Sequence, residues 1–142
     1  MRMQRAIAGL GLGLAIAVLT GMLAGVMARS NDPIEVPIRI HYSHYEPAAV
    51  TVPVGRPVTF VITNDDPIDH EWIVGDAATH ERHRTGTEPV HDARPTEISI
   101  PAGTQKRTTV TFAAAGSQQY ICHLPGHEAY GMTGTVEITP GR

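Results

Sequence analysis

The sequence predicts an all-β domain, a Greek-key sandwich or barrel of seven or eight strands, behind an N-terminal apolar leader. Three observations carry that expectation. Gly and Pro make up about 18% of the 142 residues, against an average nearer 12%, so the chain is rich in turns. Apolar and polar residues alternate in short runs between turn residues, the period of half-buried strands. Beyond residue 28 almost no stretch shows helical apolar spacing. Hydrophobic residues at 42% suffice for a core, while aromatics at 5% leave that core mainly to Val, Ile, Ala and Leu.

The elements follow in order. Arg2 and Arg5 precede an uncharged run from Ala6 to Ala28, which reads as an export signal or a retained membrane anchor. Its 23 residues exceed a signal core of roughly 7–15 and could cross a bilayer of about 30 Å. Val26-Met27-Ala28 offers a cleavage site after Ala28. No Cys lies near it to carry a lipid, and adjacent twin arginines are missing. With the arginines held inside, residues 29–142 form an extracytoplasmic domain of formal charge −5. That weak acidity gives no footprint for nucleic acid.

Ile34, Val36, Ile38 and Ile40 mark the first strand, with Pro37 suggesting a sheet edge. Val50, Val52 and Val54 mark the next, and Gly55 with Pro57 turns the chain. Val58, Phe60 and Ile62 follow, closed by the turn cluster Thr63 to Pro67. Trp72 to Val74, with Trp72 read as core, Ile98 to Ile100, Thr109 to Phe112, Gln118 to Cys122 and Thr135 to Ile138 complete the set. Residues 75–97 break the rhythm as a long polar loop holding His80, His83 and His91. Its length favours a solvated excursion; the sharper alternative is a secondary metal-catching or docking loop.

The chemistry lies in Cys122-His123-Leu124-Pro125-Gly126-His127-Glu128-Ala129-Tyr130-Gly131-Met132. The lone Cys rules out an internal disulfide, a four-Cys zinc site and an iron–sulfur cluster. A thiolate, an imidazole and a thioether on one loop form a soft ligand set, which selects copper over magnesium, calcium or manganese. Pro125-Gly126 turns His127 back toward Cys122, and Gly131 frees the backbone to bring in Met132. A second imidazole must come from elsewhere, and His70, after the Asn64–Pro67 turn, is the candidate. Two His and one Cys with a weak axial Met make the blue-copper arrangement. His123 is expected to point away from Cys122. His41 and His44, three apart, share neither face of a strand and read as surface residues.

The exported part resembles the cupredoxins, the plastocyanin–azurin–auracyanin group. The resemblance rests on Tyr45-Glu46-Pro47, Val50-Thr51-Val52, Gly55, Asn64 through His70, Ile100 to Gly103, Thr111-Phe112, Gly116, Tyr120-Ile121-Cys122 and Gly134-Thr135-Val136. The Cys-to-His spacing is similar to that of auracyanin and rusticyanin. The resemblance implies one copper ion on His70, Cys122, His127 and Met132, and an electron route through the edge of His127. It also implies an apolar patch for transient redox partners, with Leu124, Pro125 and Tyr130 as patch residues. Plastocyanin and azurin carry Asn after the first His; Glu71 stands here instead, which resembles a bacterial branch of cupredoxin-like proteins.

Enzyme readings fail on counting. Paired His-x-His motifs for a trinuclear copper cluster are absent, a binuclear copper loop needs two cysteines, and no Ser-His-Asp or paired-carboxylate set stands out. The expectation is a monomeric one-electron carrier. The alternative is a copper carrier, buffer or assembly factor serving copper acceptors, and a metal-free scaffold is a third.

Overall fold

The computed structural model describes residues 32–86 and 91–141; the leader and its cleavage site lie outside them. Among the described residues nine strands and two helices follow one another: β1 (Ile34–His41), β2 (His44–Glu46), β3 (Ala49–Pro53), β4 (Pro57–Asn64), β5 (His70–Gly75), α1 (Ala77–Thr85), β6 (Glu97–Ile100), β7 (Gln105–Thr111), β8 (Gly116–Ile121), α2 (His127–Tyr130) and β9 (Thr133–Thr139). They form two sheets, ordered β2-β1-β4-β7 and β3-β9-β8-β5-β6. The chain crosses between the sheets repeatedly, and the pairs β1–β4 and β3–β9 run parallel. Among the described residues no helix is long and apolar enough to cross a membrane.

The two sheets close over one core, as the alternation predicts. Ile38, Ile40, Val58, Phe60 and Ile62 face it from the first sheet; Val50, Val52, Trp72, Tyr120, Val136 and Ile138 face it from the second. Trp72 is fully buried, as read from the sequence, with its ring centroid 4.7 Å from that of Phe60 and 6.2 Å from that of Tyr120.

Three expectations need correction. The ninth strand is β2, joined to β1 by a two-residue turn in which Tyr42 and Ser43 both take left-handed backbone angles, φ 50° and 54°. Such turns usually carry Asn or Gly, so the sequence gives no sign of it. Here the Tyr42 and Ser43 amides both donate to Asp66, at 2.8 and 2.7 Å. Second, β1 lies between β2 and β4 rather than at an edge. Because β2 pairs only with Arg39–His41 of β1, Pro37 still has a ladder partner on one side alone, which suits its missing donor.

Third, the 75–97 excursion is not all loop, since residues 77–85 form α1. Its N-cap Asp76 accepts from the Thr79 amide at 2.8 Å, and Arg82 and Arg84 in its last turn complement the helix dipole. It has no apolar stripe because the one residue it buries is His80. The helix packs on β5, all six residues of which are buried.

Gly134 shows how closely β8 and β9 pack. A Cβ there would lie 2.2 Å from the Tyr120 ring, which cannot retreat because its hydroxyl donates to the Pro47 carbonyl at 2.7 Å. Gly134→Ala is expected to destabilise the domain by about 1–3 kcal/mol through overpacking, read as a lowered thermal midpoint with an unchanged β-rich circular dichroism spectrum.

Candidate metal centre

Four chain segments meet at one end of the sandwich. β5 opens with His70, Cys122 follows the last residue of β8, His127 begins α2, and Met132 lies between α2 and β9. Glycines in the left-handed region, Gly126 (φ 87°) and Gly131 (φ 103°), bracket α2, so the loop reverses twice between Cys122 and Met132. Side chains with a Cβ rarely adopt these angles.

The structure brings His70, Cys122 and His127 together, with one ligand-capable atom of each within 4.8 Å of the others. His127 Nδ1 lies 3.2 Å from Cys122 Sγ and 3.2 Å from His70 Nδ1. His70 Nε2 lies 3.0 Å from Asp66 Oδ2. An Nε2–H donated to that carboxylate leaves the His70 lone pair on Nδ1, aimed at the cluster. The backbone amides of Glu71 and Leu124 both reach the sulfur, the former at 3.4 Å. Two lone-pair nitrogens beside an amide-supported sulfur suit a soft metal ion, so the donor set fits copper.

Met132 is fully buried in the same core cluster as Cys122. Its amide donates to the His127 carbonyl at 3.0 Å, and its own carbonyl accepts from the Cys122 amide at 3.2 Å. The backbone of the fourth candidate is thus tied to two of the others.

His70 and Cys122 are buried, while His127 is partly exposed. Around it Tyr130 and Pro125 are exposed and Leu124 half-buried. Tyr42 (75% exposed) and Ile68 (47%) belong to the same end, since Tyr42 is held by Asp66 and Ile68 lies two residues before His70. The sequence reading missed both.

Asp66 was also missed, because its place in a turn cluster explains it without any site. Burial alone would raise its carboxyl, but the Ser43 and Tyr42 amides and His70 outweigh burial and hold it below the ordinary range. Burial pushes the Cys122 thiol up to about 11 despite the two amides. It also lowers His127, as does the neighbouring His70.

The remaining histidines fall into two groups. His41 and His44 sit opposite one another across the β1–β2 turn and so share a face, contrary to the sequence reading. They join no three-ligand group among the described residues; His44 Nδ1 lies 2.7 Å from the Tyr42 carbonyl. His123 points away from Cys122 as expected. It meets His80, with Nε2 3.0 Å from His80 Nδ1, and His83, its ring stacked at 5.6 Å.

Burial holds the His123 imidazole down at about 4, against an ordinary value of 6.5. A group depressed in the folded state contributes stability above its unfolded value, lost as pH falls toward the folded one. The metal-free chain is therefore expected to lose on the order of 2 kcal/mol between about pH 6.5 and 4 through this residue. Urea unfolding across that range should show a flatter pH slope for His123→Gln.

The sequence family described as copper binding proteins, plastocyanin/azurin family, matches residues 34–139. A copper-resistant cuproprotein, CopI, of Rubrivivax gelatinosus is 33% identical over 97 residues, which cover 66% of this chain and 59% of that protein. The chain thus spans about three fifths of that relative's length. The CopI protein of Pseudomonas aeruginosa is 26% identical over 145 residues, covering 80% of this chain and 79% of that one. Among solved structures, auracyanin B superposes with a TM-score of 0.65 at 22% identity, covering 77% of this chain and 91% of that one. Auracyanin A of Chloroflexus aurantiacus gives 0.61 at 24% identity, over 76% and 100%.

Proposed function

The chain belongs to the plastocyanin/azurin family of copper-binding proteins, and from that premise we propose that it is a non-enzymatic, extracytoplasmic one-electron carrier. One copper ion would be held by His70, Cys122, His127 and Met132. The observation that carries this reading is the clustering of His70, Cys122 and His127 in the fold itself. Copper, when bound, supplies a one-electron couple. The residues do the rest. Asp66 fixes the His70 tautomer, the Glu71 and Leu124 amides support negative charge on the sulfur, and the covering strands exclude water. A site assembled in advance rearranges little when its charge changes. His127 offers the partly exposed ring, and the apolar rim of Tyr42, Ile68 and Tyr130 suits brief contacts over a small interface. The basic, then apolar, leader supports placement outside the cytoplasm.

A second reading, copper handling in copper resistance, is favoured by the names of the curated relatives. The readings part on what leaves the site, an electron or the ion. Titration with Cu(II) tests them. An intense thiolate-to-copper band that bleaches and returns reversibly with reductant and oxidant, the metal staying bound, supports electron carriage. Passage of the copper to an apo-acceptor, with permanent loss of colour, supports delivery. Absence of stoichiometric binding refutes both.

A further inference from the structure

The two residue pairs that frame the copper site each have a member on the opposite face of the sheet. His70 and Cys122 face the site. Their chain neighbours Glu71 and His123 turn toward α1, where they meet side chains from the 75–97 excursion. His83, His91 and Glu97 gather there, with ligand-capable atoms within 4.8 Å of one another. The His83, His91 and Glu97 side chains are 6%, 6% and 9% exposed.

Hydrogen bonds orient two of the three side chains, His83 and Glu97, as ligands. His83 Nδ1 lies 2.7 Å from the Thr79 carbonyl, so Nδ1–H is donated and Nε2 carries the lone pair. That Nε2 lies 3.6 Å from Glu97 Oε2. Two acceptors therefore face each other beyond hydrogen-bond length, at about the separation of two ligands on one tetrahedral ion with bonds near 2.1 Å. The other Glu97 oxygen, Oε1, takes Arg82 at 2.8 Å and Arg94 at 3.0 Å, which fixes the carboxylate and leaves Oε2 toward the imidazole. His91 Nε2 lies 3.4 Å from Glu71 Oε1, so a second carboxylate borders the group. His80 and His123 are engaged elsewhere: His80 meets His123 and the Gln119 carbonyl, and His123 Nδ1 faces Glu128 at 3.4 Å. They floor the group rather than join it.

We propose that His83, His91 and Glu97 form a second metal site, for a borderline divalent cation such as Cu(II) or Zn(II). Two imidazoles and a carboxylate without sulfur suit these ions rather than Cu(I). The site stands on its own residues and does not depend on the electron-carrier reading.

The test is metal uptake by the full chain, with Cu(II) alone as the first probe. Equilibrium dialysis is expected to give two equivalents, one with the thiolate-to-copper band and one with the paramagnetic resonance of nitrogen- and oxygen-bound Cu(II). The double variant His83→Ala/His91→Ala is expected to bind one equivalent and keep the band. Zn(II) added to chain already holding one coloured equivalent distinguishes the ions: uptake by the original chain and not by the variant assigns zinc as well as copper. A single equivalent in the original chain, or a second that persists in the double variant, overturns the site. If the double variant loses the thiolate band as well, His91→Gln alone is the arbiter. It should weaken the second equivalent at least tenfold, and an unchanged affinity refutes the site. Two equivalents without any thiolate band would refute the Cys122 centre and leave this one standing.

Discussion

Cys122→Ser is expected to abolish the thiolate-to-copper band and to weaken copper binding by more than the 10–100-fold that loss of a supporting hydrogen bond costs. The reason is the identity of the donor. The Cys122 thiol, raised to about 11 by burial, is protonated at pH 7 in the metal-free chain, and a coordinating thiol is deprotonated outright. Uptake at Cys122 should therefore release about one proton per chain, measurable with an indicator dye in weak buffer. A serine hydroxyl cannot match this, and the variant should release none. Affinity in the original chain should rise with pH, since the proton and the metal compete for the sulfur. Colour that survives in Cys122→Ser would show that the sulfur is not a ligand.

Asp66→Ala is the second large effect, and it reaches both site and fold. The carboxylate orients His70 at 3.0 Å and accepts the two amides of the β1–β2 turn. Without it, His70 loses its fixed tautomer, and copper affinity is expected to drop 10–100-fold. The Tyr42 and Ser43 amides lose the partner that holds their left-handed backbone, which should cost about 1–3 kcal/mol. Copper titration and chemical unfolding read the two consequences separately. Asp66→Asn, which keeps a carbonyl acceptor for the turn, should recover more of the stability than of the affinity. Unchanged copper affinity in Asp66→Ala would remove the orienting role.

Much of the site was legible because three of its four candidates share eleven consecutive residues, Cys122 to Met132, and the fourth opens a strand directly after a turn cluster. The strands were legible where one face is buried, as in the alternating Val50, Val52 and Val58, Phe60, Ile62 runs. What stayed hidden depends on contacts far apart in sequence. β2 exists because Asp66, more than twenty residues away, satisfies a turn with no glycine. α1 lacks an apolar stripe because its buried face is an imidazole. The His83–His91–Glu97 group forms only when α1 lies over β5, and no spacing rule connects His83 with Glu97.

The position of β9 in the second sheet bears on when the chain can acquire its ion. This strand pairs with both β3 and β8, and β8 leads directly into Cys122, so the strand after the ligand loop braces the strand before it. A nascent chain halted near residue 130 would carry His70, Cys122 and His127 without the ladder that aligns them. On the proposed reading, copper uptake waits on this ladder, and Thr135→Pro, which removes the amide that donates to the Ala48 carbonyl at 2.9 Å while keeping His70, Cys122, His127 and Met132, should weaken it.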